Sequence, residues 1–448
     1  MIPLSSRPPV PSLRHPPEAA ITPAPRVRVL FINDTSRNGG PGRSLHSILK
    51  FLDPAVVHRA VVVPRAGAVS ELLARDGVAD ELLFEPDLVE NPIEPWGRAM
   101  ARRDFDAPAP LKAARLAGNV VKATRAMARL SALVRDGRYD LVYCNGTNAD
   151  FAGGALAWRT GVPALWHVRY TSVPRAVAGL HARLAASVGV RRIVCVSRSA
   201  AALFARCPAK VTVIHNALDV GAFDPARVSP SLRAELRLPA GTVVFGSHGR
   251  VLRRKGYVEM VRAARLALDR MTAAERARVA FAVVGDTPED FRPDHVEECR
   301  ALAAQLGLGG VFHMLGFRAD VRPLVADFDV AVVPSVYADP LPRAVIESMA
   351  LGRPVVAFDV GGVAEMLDAD AGMLVPFEAA PRDPGASDAS VARLADAFVR
   401  YARDPELRAR QGVAARARVV RDFDARAHAR RIQDEIVRTA GPARKMGR

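Results

Sequence analysis

Short apolar runs, many of them β-branched, alternate with helical patterns along this chain, and the alternation occurs in two series. The predicted strands of the first series are Val27–Ile32, Ala60–Val63, Asp140–Cys144, Ala164–Val168 and Arg192–Val196. Those of the second series are Val243–Ser247, Ala280–Val284, Val311–Met314, Val330–Val333 and Pro354–Phe358. Strands separated by helices favour parallel sheets with crossover helices, so the pattern predicts an α/β fold.

The length of 448 residues suits two domains of about 200 residues each. We therefore predict two Rossmann-like, doubly wound parallel-sheet domains that face each other across a central cleft. The expected division is a disordered, proline-rich lead-in without a signal peptide (1–25), an N-terminal domain (26–216), a linker (217–240), a C-terminal domain (241–415), and a last helix with a basic tail (416–448). This last helix is expected to return to the N-terminal domain.

The chain carries a formal net charge of +16. A strongly basic protein attracts polyanions such as nucleic acid, anionic lipid or phosphorylated substrates. The segment 96–135 is especially basic, and it contains apolar residues at helical spacing: Leu116, Val120, Ala123, Met127 and Leu130. Two interpretations stay open, namely an amphipathic helix in peripheral contact with anionic membrane, and an ordinary helix packed on the sheet with a solvated basic face.

The cysteine pattern and the hydropathy indicate the compartment. The four cysteines include no CxxC pair and no zinc-type cluster, and they are too few for a disulfide scaffold. No apolar run approaches the roughly 18 residues that span a bilayer. We expect a reduced, cytoplasmic protein that is at most peripheral at the inner face of the cell membrane.

Two loops that follow predicted strands carry residues suited to anions, because open parallel sheets bind ligands at the carboxyl ends of their strands. Gly39 and Gly40 lie in a glycine-rich turn before a helix, where the backbone can approach an anion. Arg250 and Lys255 follow the strand Val243–Ser247 and suit a diphosphate. From spacing alone, a plain tight turn and solvated surface charge remain alternatives for these two loops.

A third loop carries two carboxylates, Asp339 and Glu347. They bracket a loop and the first turn of a predicted helix, Arg343 to Ala350, so both can point into one cleft. Carboxylate oxygens accept strongly from pairs of sugar or ribose hydroxyls. The alternative is an acidic cap at a helix N-terminus.

The run from Glu347 to Val356, followed by Gly361-Gly362 and Glu365, resembles the signature of GT-B glycosyltransferases of family 4. Further motifs occur in the family's order: Gly39-Gly40, His167, Val196-Ser197, His215 to Asp219, Gly249-Arg250, Lys255-Gly256, Val284-Gly285 and Leu315-Gly316. The resemblance extends from about Val27 to Val375. It implies a retaining, hexosyltransferase-type enzyme that moves a sugar from a nucleoside-diphosphate sugar to an acceptor hydroxyl, in cell-envelope glycan or glycolipid synthesis.

The resemblance also implies a role for each matching residue. Arg250 and Lys255 would bind the donor diphosphate, which the amides of Arg343 and Ala344 would approach. The remaining roles are ribose binding by Glu347, contact with the donor sugar by Asp339, closure of the first loop over the donor by Gly39 and Gly40, and a hydrogen bond from His167 to the donor sugar near the reacting centre. The implied catalytic residues are His167, Arg250, Lys255 and Asp339.

The implied partners are a nucleotide-sugar donor, bound by the C-terminal domain, and a glycan or lipid-linked acceptor, bound by the N-terminal domain. No cofactor and no nucleic acid are expected. Asp-x-Asp pairs are scattered at Asp104/Asp106, Asp327/Asp329, Asp368/Asp370 and Asp422/Asp424, which is typical of chance. We therefore expect no essential metal, and cationic side chains and helix N-termini would take its place.

Three departures from the family pattern concern the sugar end of the site. Asp339 stands where the family usually has glutamate, and Leu341-Pro342 replaces the common Phe-Gly. The usual Pro-Asn-Gly is here His215-Asn216-Ala217. Because proline has no amide N–H, Pro342 cannot make a donor contact that a glycine amide would make. These changes bear on which sugar is recognised.

Two rival functions remain. A nucleotide-sugar epimerase or a phosphorylase shares the fold, although no cofactor lysine for a phosphorylase can be identified. A non-catalytic nucleic-acid-binding protein would fit the charge, but the sequence has no helix-turn-helix, zinc finger or RNP-like aromatic motif.

Overall fold

The computed structural model describes residues 26–37, 39–88, 109–288, 294–381 and 385–441. The predicted lead-in, the part of the basic segment before residue 109, the pair Asp104/Asp106 and the tail after residue 441 lie outside these ranges. The statements that follow concern the described residues.

The strands form two parallel sheets, as the sequence pattern predicts. The first sheet has seven strands in the order β3-β2-β1-β4-β5-β6-β7, and the second has six in the order β10-β9-β8-β11-β12-β13. Strands of the first sheet are β1 (Val27–Asn33), β2 (Val57–Val63), β3 (Glu81–Phe84), β4 (Leu141–Asn145), β5 (Ala164–Val168), β6 (Val190–Cys195) and β7 (Val211–Val213). Strands of the second are β8 (Val243–His248), β9 (Val279–Val284), β10 (Phe312–Met314), β11 (Val330–Val333), β12 (Val355–Phe358) and β13 (Gly372–Val375).

Helices cover both faces of each sheet, so the central strands are buried on both sides and consist of nearly continuous apolar residues. The helices of the N-terminal half are α1 (Gly40–Phe51), α2 (Ala68–Arg75), α3 (Ala109–Asp136), α4 (Thr147–Thr160), α5 (Arg175–Ala186) and α6 (Arg198–Ala201). Those that follow are α7 (Leu232–Glu235), α8 (Tyr257–Asp269), α9 (Ala273–Arg276), α10 (His295–Gln305), α11 (Arg322–Val325), α12 (Arg343–Ala350), α13 (Asp388–Arg403), α14 (Pro405–Asp422) and α15 (Ala425–Ala440).

The strand order of each sheet reverses once, which creates a place for a ligand. In the first sheet the chain moves outward from β1 to β3 and returns to place β4 on the other side of β1. In the second sheet β8 and β11 are the equivalent neighbours. Loops diverge at such a reversal and leave a crevice at the carboxyl ends of the strands.

The chain passes between the two halves at two neighbouring places. The backbone of Leu218 accepts a hydrogen bond from Ala425 at 2.9 Å and donates one to Phe423 at 3.0 Å. Beyond this point α15 packs on α1 and on the first sheet, where Ile432 and Ile436 are fully buried. The segment 217–240 packs in turn on the second sheet through Leu218 and Leu232.

The apolar stripe predicted on α3 is divided in the structure. Leu130 is buried and Met127 packs beside it against the first sheet, whereas Leu116, Val120 and Ala123 are exposed. The C-terminal part of α3 therefore packs on the first sheet, whereas the part before it presents apolar residues to solvent. None of the helices in the described ranges combines the length and the hydropathy that crossing a membrane requires.

Candidate functional site

A cleft of about 1000 Å³ lies where the loops at the carboxyl ends of the two sheets meet. Both halves contribute to it, and the hydroxyl of Thr171 reaches across to the carbonyl of Ala338 at 2.7 Å. Every residue predicted for the site lines this cleft except His167; those that do are Gly39, Gly40, Arg250, Lys255, Asp339, Arg343, Ala344 and Glu347. Residues from distant parts of the sequence are therefore brought together at one cleft.

A tight turn after β8 carries Lys255 to the loop that follows β11. Gly256 ends the turn with φ of +76°, and a Cβ atom there would lie 1.7 Å from the carbonyl oxygen of Pro334. Only glycine fits this close approach. As a result the Lys255 ammonium lies 2.6 Å from a carboxylate oxygen of Asp339.

Asp339 is a buried carboxylate with two partners in the cleft. Besides Lys255, the hydroxyl of Tyr337 donates to it at 2.9 Å. Burial alone would raise the pKa of Asp339, but the charge and hydrogen bond of Lys255 and the bond from Tyr337 outweigh it, and the pKa is lowered. The site therefore holds an ionised carboxylate and an ammonium side by side.

Glu347 joins the two loops at the other end of the cleft. One of its oxygens lies 3.0 Å from Nε of Arg343 and the other lies 3.0 Å from Nε2 of His248, the last residue of β8. Burial disfavours the charged carboxylate, but the charge of Arg343 and the hydrogen bond with His248 prevail and lower the pKa of Glu347 to about 2. The carboxylate keeps free lone pairs, since two oxygens offer about four acceptor positions.

The cleft also contains arginines that form no ion pair with a described carboxylate. Neither Arg250 nor Arg254 forms an ion pair with a carboxylate in the described ranges, and Arg254 lies over the ring of Tyr337 at 4.9 Å. Helix α12 begins beside them, and its N-cap residue Pro342 supplies no side-chain hydrogen bond. Cations and uncapped helical amides on one wall form a surface suited to phosphate oxygens.

His167 does not line the cleft, unlike the other residues predicted for the site. Its side chain is fully buried within β5, beneath the cleft, and therefore offers no exposed surface to a donor sugar. The hydroxyl of Tyr143 hydrogen bonds to its Nδ1, and its ring stacks on His428 of α15. Burial, then the charge of Arg169, lowers its pKa far below the usual range, so the ring is neutral.

Sequence reasoning missed several cleft residues that have detectable signals. Arg169 lies two positions after His167, and side chains two apart share a face of a strand. His248 immediately precedes the predicted Gly249-Arg250 pair, and Tyr337 lies two positions before Asp339. Each lies one or two positions from a residue of the predicted motifs.

The second half of the family signature has a structural function. Gly361 has φ of +72°, and a Cβ atom there would lie 2.3 Å from the backbone oxygen of Asp339. The next amide, of Gly362, donates to this same oxygen at 2.9 Å. Glu365 then accepts from the amides of Arg198 and Ser199 in the other half at 2.8 Å and 3.1 Å. The motif therefore fixes the Asp339 loop and links the two halves.

Within the described ranges, no group of three or more His, Cys, Asp or Glu residues is arranged to hold a metal ion. The pair Asp327/Asp329 is instead occupied by Arg233, whose amide bonds to the first carboxylate at 2.9 Å and whose guanidinium bonds to the second at 2.5 Å. This Asp-x-Asp pair thus supports the fold beside β11.

Solved structures with the same architecture define the class of protein. The chain matches HepE of Anabaena, solved in complex with UDP and glucose, with a TM-score of 0.70 and 22% identity over 92% of this chain and 99% of that chain. It also matches WaaG, described as a glycosyltransferase involved in lipopolysaccharide biosynthesis, with a TM-score of 0.63 and 15% identity over 91% of this chain and 99% of that one. The two facing sheets and their cleft form the GT-B fold.

Sequence comparison then gives the family. Residues 242–400 match the glycosyl transferases group 1, and residues 84–221 match glycosyltransferase family 4. D-inositol 3-phosphate glycosyltransferase 2 of Catenulispora acidiphila is 30% identical over 310 residues, which cover 64% of this chain and 70% of that protein. The chain belongs to glycosyltransferase family 4.

Similarity to other relatives is shorter. Alpha-maltose-1-phosphate synthase of Mycolicibacterium smegmatis is 32% identical over 219 residues, covering 48% of this chain and 54% of that protein. The chain thus spans about half the length of the maltose-1-phosphate synthases that it matches.

Proposed function

We propose that this protein is a retaining glycosyltransferase that moves a sugar from a nucleoside-diphosphate sugar to an acceptor hydroxyl. One observation carries the proposal: Arg250, Lys255 and Glu347 converge on a single cleft beside the N-terminus of α12. The diphosphate lies between the cations and the helix amides, and Glu347 accepts hydrogen bonds from the ribose. Asp339 faces the sugar. The complex of HepE with UDP and glucose supports this assignment by analogy of fold.

The reaction proceeds with the acceptor oxygen bonding to the anomeric carbon on the face from which the diphosphate leaves. The bond between that carbon and the diphosphate oxygen breaks, and the acceptor proton passes to a diphosphate oxygen. Negative charge grows on the leaving group, so Arg250 and Lys255 stabilise the transition state more than the bound substrate. Approach of the two halves excludes water from the cleft.

The test is a thermal-shift screen over nucleoside-diphosphate sugars, followed by NMR of the product formed with a sugar acceptor. A bound donor raises the unfolding temperature, because it binds only the folded chain. We expect one class of sugar nucleotide to stabilise the protein and the product to keep the anomeric configuration of the donor. An inverted product would contradict retention. Epimerised donor without acceptor, or nucleic-acid binding without donor turnover, would support the rival functions.

The acceptor is proposed to be a glycan or lipid-linked sugar bound by the N-terminal half, in cell-envelope synthesis. A peripheral contact with anionic membrane through the exposed part of α3 fits such an acceptor. Val120 and Val121 are 59% and 50% exposed, and the cations Lys122 and Arg125 follow them. Exposed apolar residues beside cations bind anionic bilayers.

We expect the double substitution Val120→Glu and Val121→Glu to abolish sedimentation with vesicles that contain phosphatidylglycerol. The introduced charges would have to enter the interface, and they repel anionic lipid. Val413 on α14 is 74% exposed, so Val413→Glu is the matched control and should still sediment. Equal sedimentation with purely zwitterionic vesicles, or no effect of the double substitution, would contradict the contact.

A further inference from the structure

A row of buried polar side chains crosses the carboxyl ends of the first sheet and ends at Arg169. The amide of Asn145 bonds to Asn33 at 2.6 Å, and its oxygen accepts from Nε of Arg169 at 2.8 Å. The oxygen of Asn216 accepts from Nη1 of Arg169, and Nδ1 of His167 lies 3.3 Å from Nη2. The guanidinium is therefore fixed on three sides by neutral acceptors.

No carboxylate in the described ranges forms an ion pair with Arg169. The carboxyl group whose charge acts on it is that of Asp150, a fully buried residue that accepts a hydrogen bond from the hydroxyl of Tyr170 at 2.7 Å. Burial, the largest cause, raises the pKa of Asp150 well above its usual range, which disfavours the charged form that could balance Arg169. A cation held away from bulk water without a counter-charge is costly, and proteins pair such groups.

Three further observations place the uncompensated charge of Arg169 where a ligand would bind. Arg169 lines the cleft together with Thr171 and Asn216. Its five N–H donors exceed its three described acceptors, so donors remain for a ligand. The positive charge of Arg343, on the opposite wall, acts on it unfavourably. An anion between the two walls would supply the missing counter-charge of Arg169 and reduce its repulsion by Arg343.

The pairing of charged side chains along the cleft also shows that Arg169 has no ion-pair partner among the described residues. Lys255 pairs with Asp339, Arg343 with Glu347, and Arg318 with Glu235. Among the cleft arginines, Arg169, Arg250 and Arg254 form no ion pair with a carboxylate in the described ranges. Arg250 and Arg254 belong to the donor wall, whereas Arg169 comes from the N-terminal half, which also contributes Arg43 to the lining.

We propose that Arg169 is a phosphate-binding residue, which takes a phosphoryl oxygen in the cleft with the N–H groups that its amide partners leave free. The inference deepens the proposed function, since it gives the N-terminal wall of the same cleft a ligand chemistry. Two sources offer this chemistry, namely the diphosphate of the donor and a phosphate group on the acceptor. A guanidinium suits either, because its planar fork matches phosphate oxygens.

The experiment is a calorimetric titration in two stages, with inorganic pyrophosphate first and inorganic phosphate added to the pyrophosphate-saturated protein second. Arg169→Gln should weaken one of the two bindings by roughly 10- to 100-fold, the range for a hydrogen bond to a charged group. Arg169→Lys should recover part of it, because the charge remains but the fork is lost. Arg318→Gln is the matched control, since this cleft arginine already pairs with Glu235.

A second variant tests the inference without removing the arginine. Asn216→Asp places a carboxylate of the same size against Nη1, neutralises the guanidinium and should weaken the same titration. Loss in the pyrophosphate stage assigns Arg169 to the donor diphosphate, and loss only in the phosphate stage assigns it to a phosphorylated acceptor. Unchanged binding in both stages, or no binding of either probe by the unaltered protein, overturns the inference. Arg169-dependent phosphate binding without pyrophosphate binding would refute the proposed donor site and leave this inference standing.

Discussion

Turnover of the Lys255→Ala variant should fall by roughly 10²- to 10³-fold, the effect of removing one preorganised charge-stabilising group. Lys255 is fixed before the substrate arrives, by Asp339 at 2.6 Å and by the ring of Tyr337 at 5.5 Å from its ammonium. A charge that does not have to reorganise stabilises the departing diphosphate at little cost. The measurement is kcat at saturating donor, because the effect belongs to the chemical step.

The same substitution leaves the Asp339 carboxylate buried without its cation, which costs about 3 kcal/mol of folding free energy when a pair is buried. A loss of activity by unfolding must therefore be separated from a loss of catalysis. Combining Lys255→Ala with Asp339→Asn removes the unpaired charge, so the double variant should recover its unfolding temperature while turnover stays low. Lys50→Ala, near the end of α1, removes an exposed lysine outside the cleft and should change neither. Near-normal turnover of folded Lys255→Ala would refute the role.

The central strands could be predicted from the sequence because both faces of a parallel sheet are covered, and each strand is then an uninterrupted apolar run. The strands that sequence reasoning missed are β3, β7 and β13, which lie at sheet edges. Their residues are partly exposed, as in β7, where all three are half-buried. Such short runs carry little hydrophobic pattern, and only the neighbouring strand determines that they pair.

The positions of site residues could be predicted where a local motif determines the backbone geometry. They could not be predicted where packing between distant segments determines the position of the side chain. The turn at Gly256 and the start of α12 follow from local residues, and both Lys255 and Glu347 line the cleft. His167 and Arg169 share one face of the chain, but β5 ends at Val168. Arg169 therefore extends past the carboxyl end of β5 to the cleft, whereas His167 is covered by His428 of α15. Sequence pattern cannot specify such a contact between distant segments.

Glu347→Gln should weaken binding of a nucleoside diphosphate by roughly 10- to 100-fold, since hydrogen bonds to a charged acceptor are the strong ones. In the proposed complex the carboxylate would accept from the ribose, while it holds Arg343 and His248 at 3.0 Å each. Glutamine keeps the shape but loses the charge. Titration of UDP and GDP measures the effect, and inorganic pyrophosphate, which has no ribose, should lose less affinity.

The same variant should also alter stability in acid, with a sign that follows from the lowered pKa. Glu347 has a pKa of about 2 in the folded chain against an ordinary value of 4.5. Its ionised form therefore stabilises the fold above pH 4.5, by about 3 kcal/mol, and the contribution is lost as the pH falls towards 2. Glu347→Gln should thus be less stable than the unaltered protein at pH 6, and the difference should shrink as the pH is lowered through this window.

A substitution at a buried glutamate outside the cleft distinguishes the effect on nucleotide affinity from the effect on stability. Glu435 of α15 pairs with Arg192 at 2.6 Å, and Glu435→Gln should lower stability without changing nucleotide affinity. Denaturant titrations at pH 6 and pH 3 and calorimetry with UDP and GDP would compare both variants. Equal nucleotide affinities in the two would show that Glu347 only supports the fold. A constant stability difference across the acid range would show that the charge of Glu347 does not hold Arg343 and His248 in place, since only an ionised carboxylate can lose that contribution with protonation.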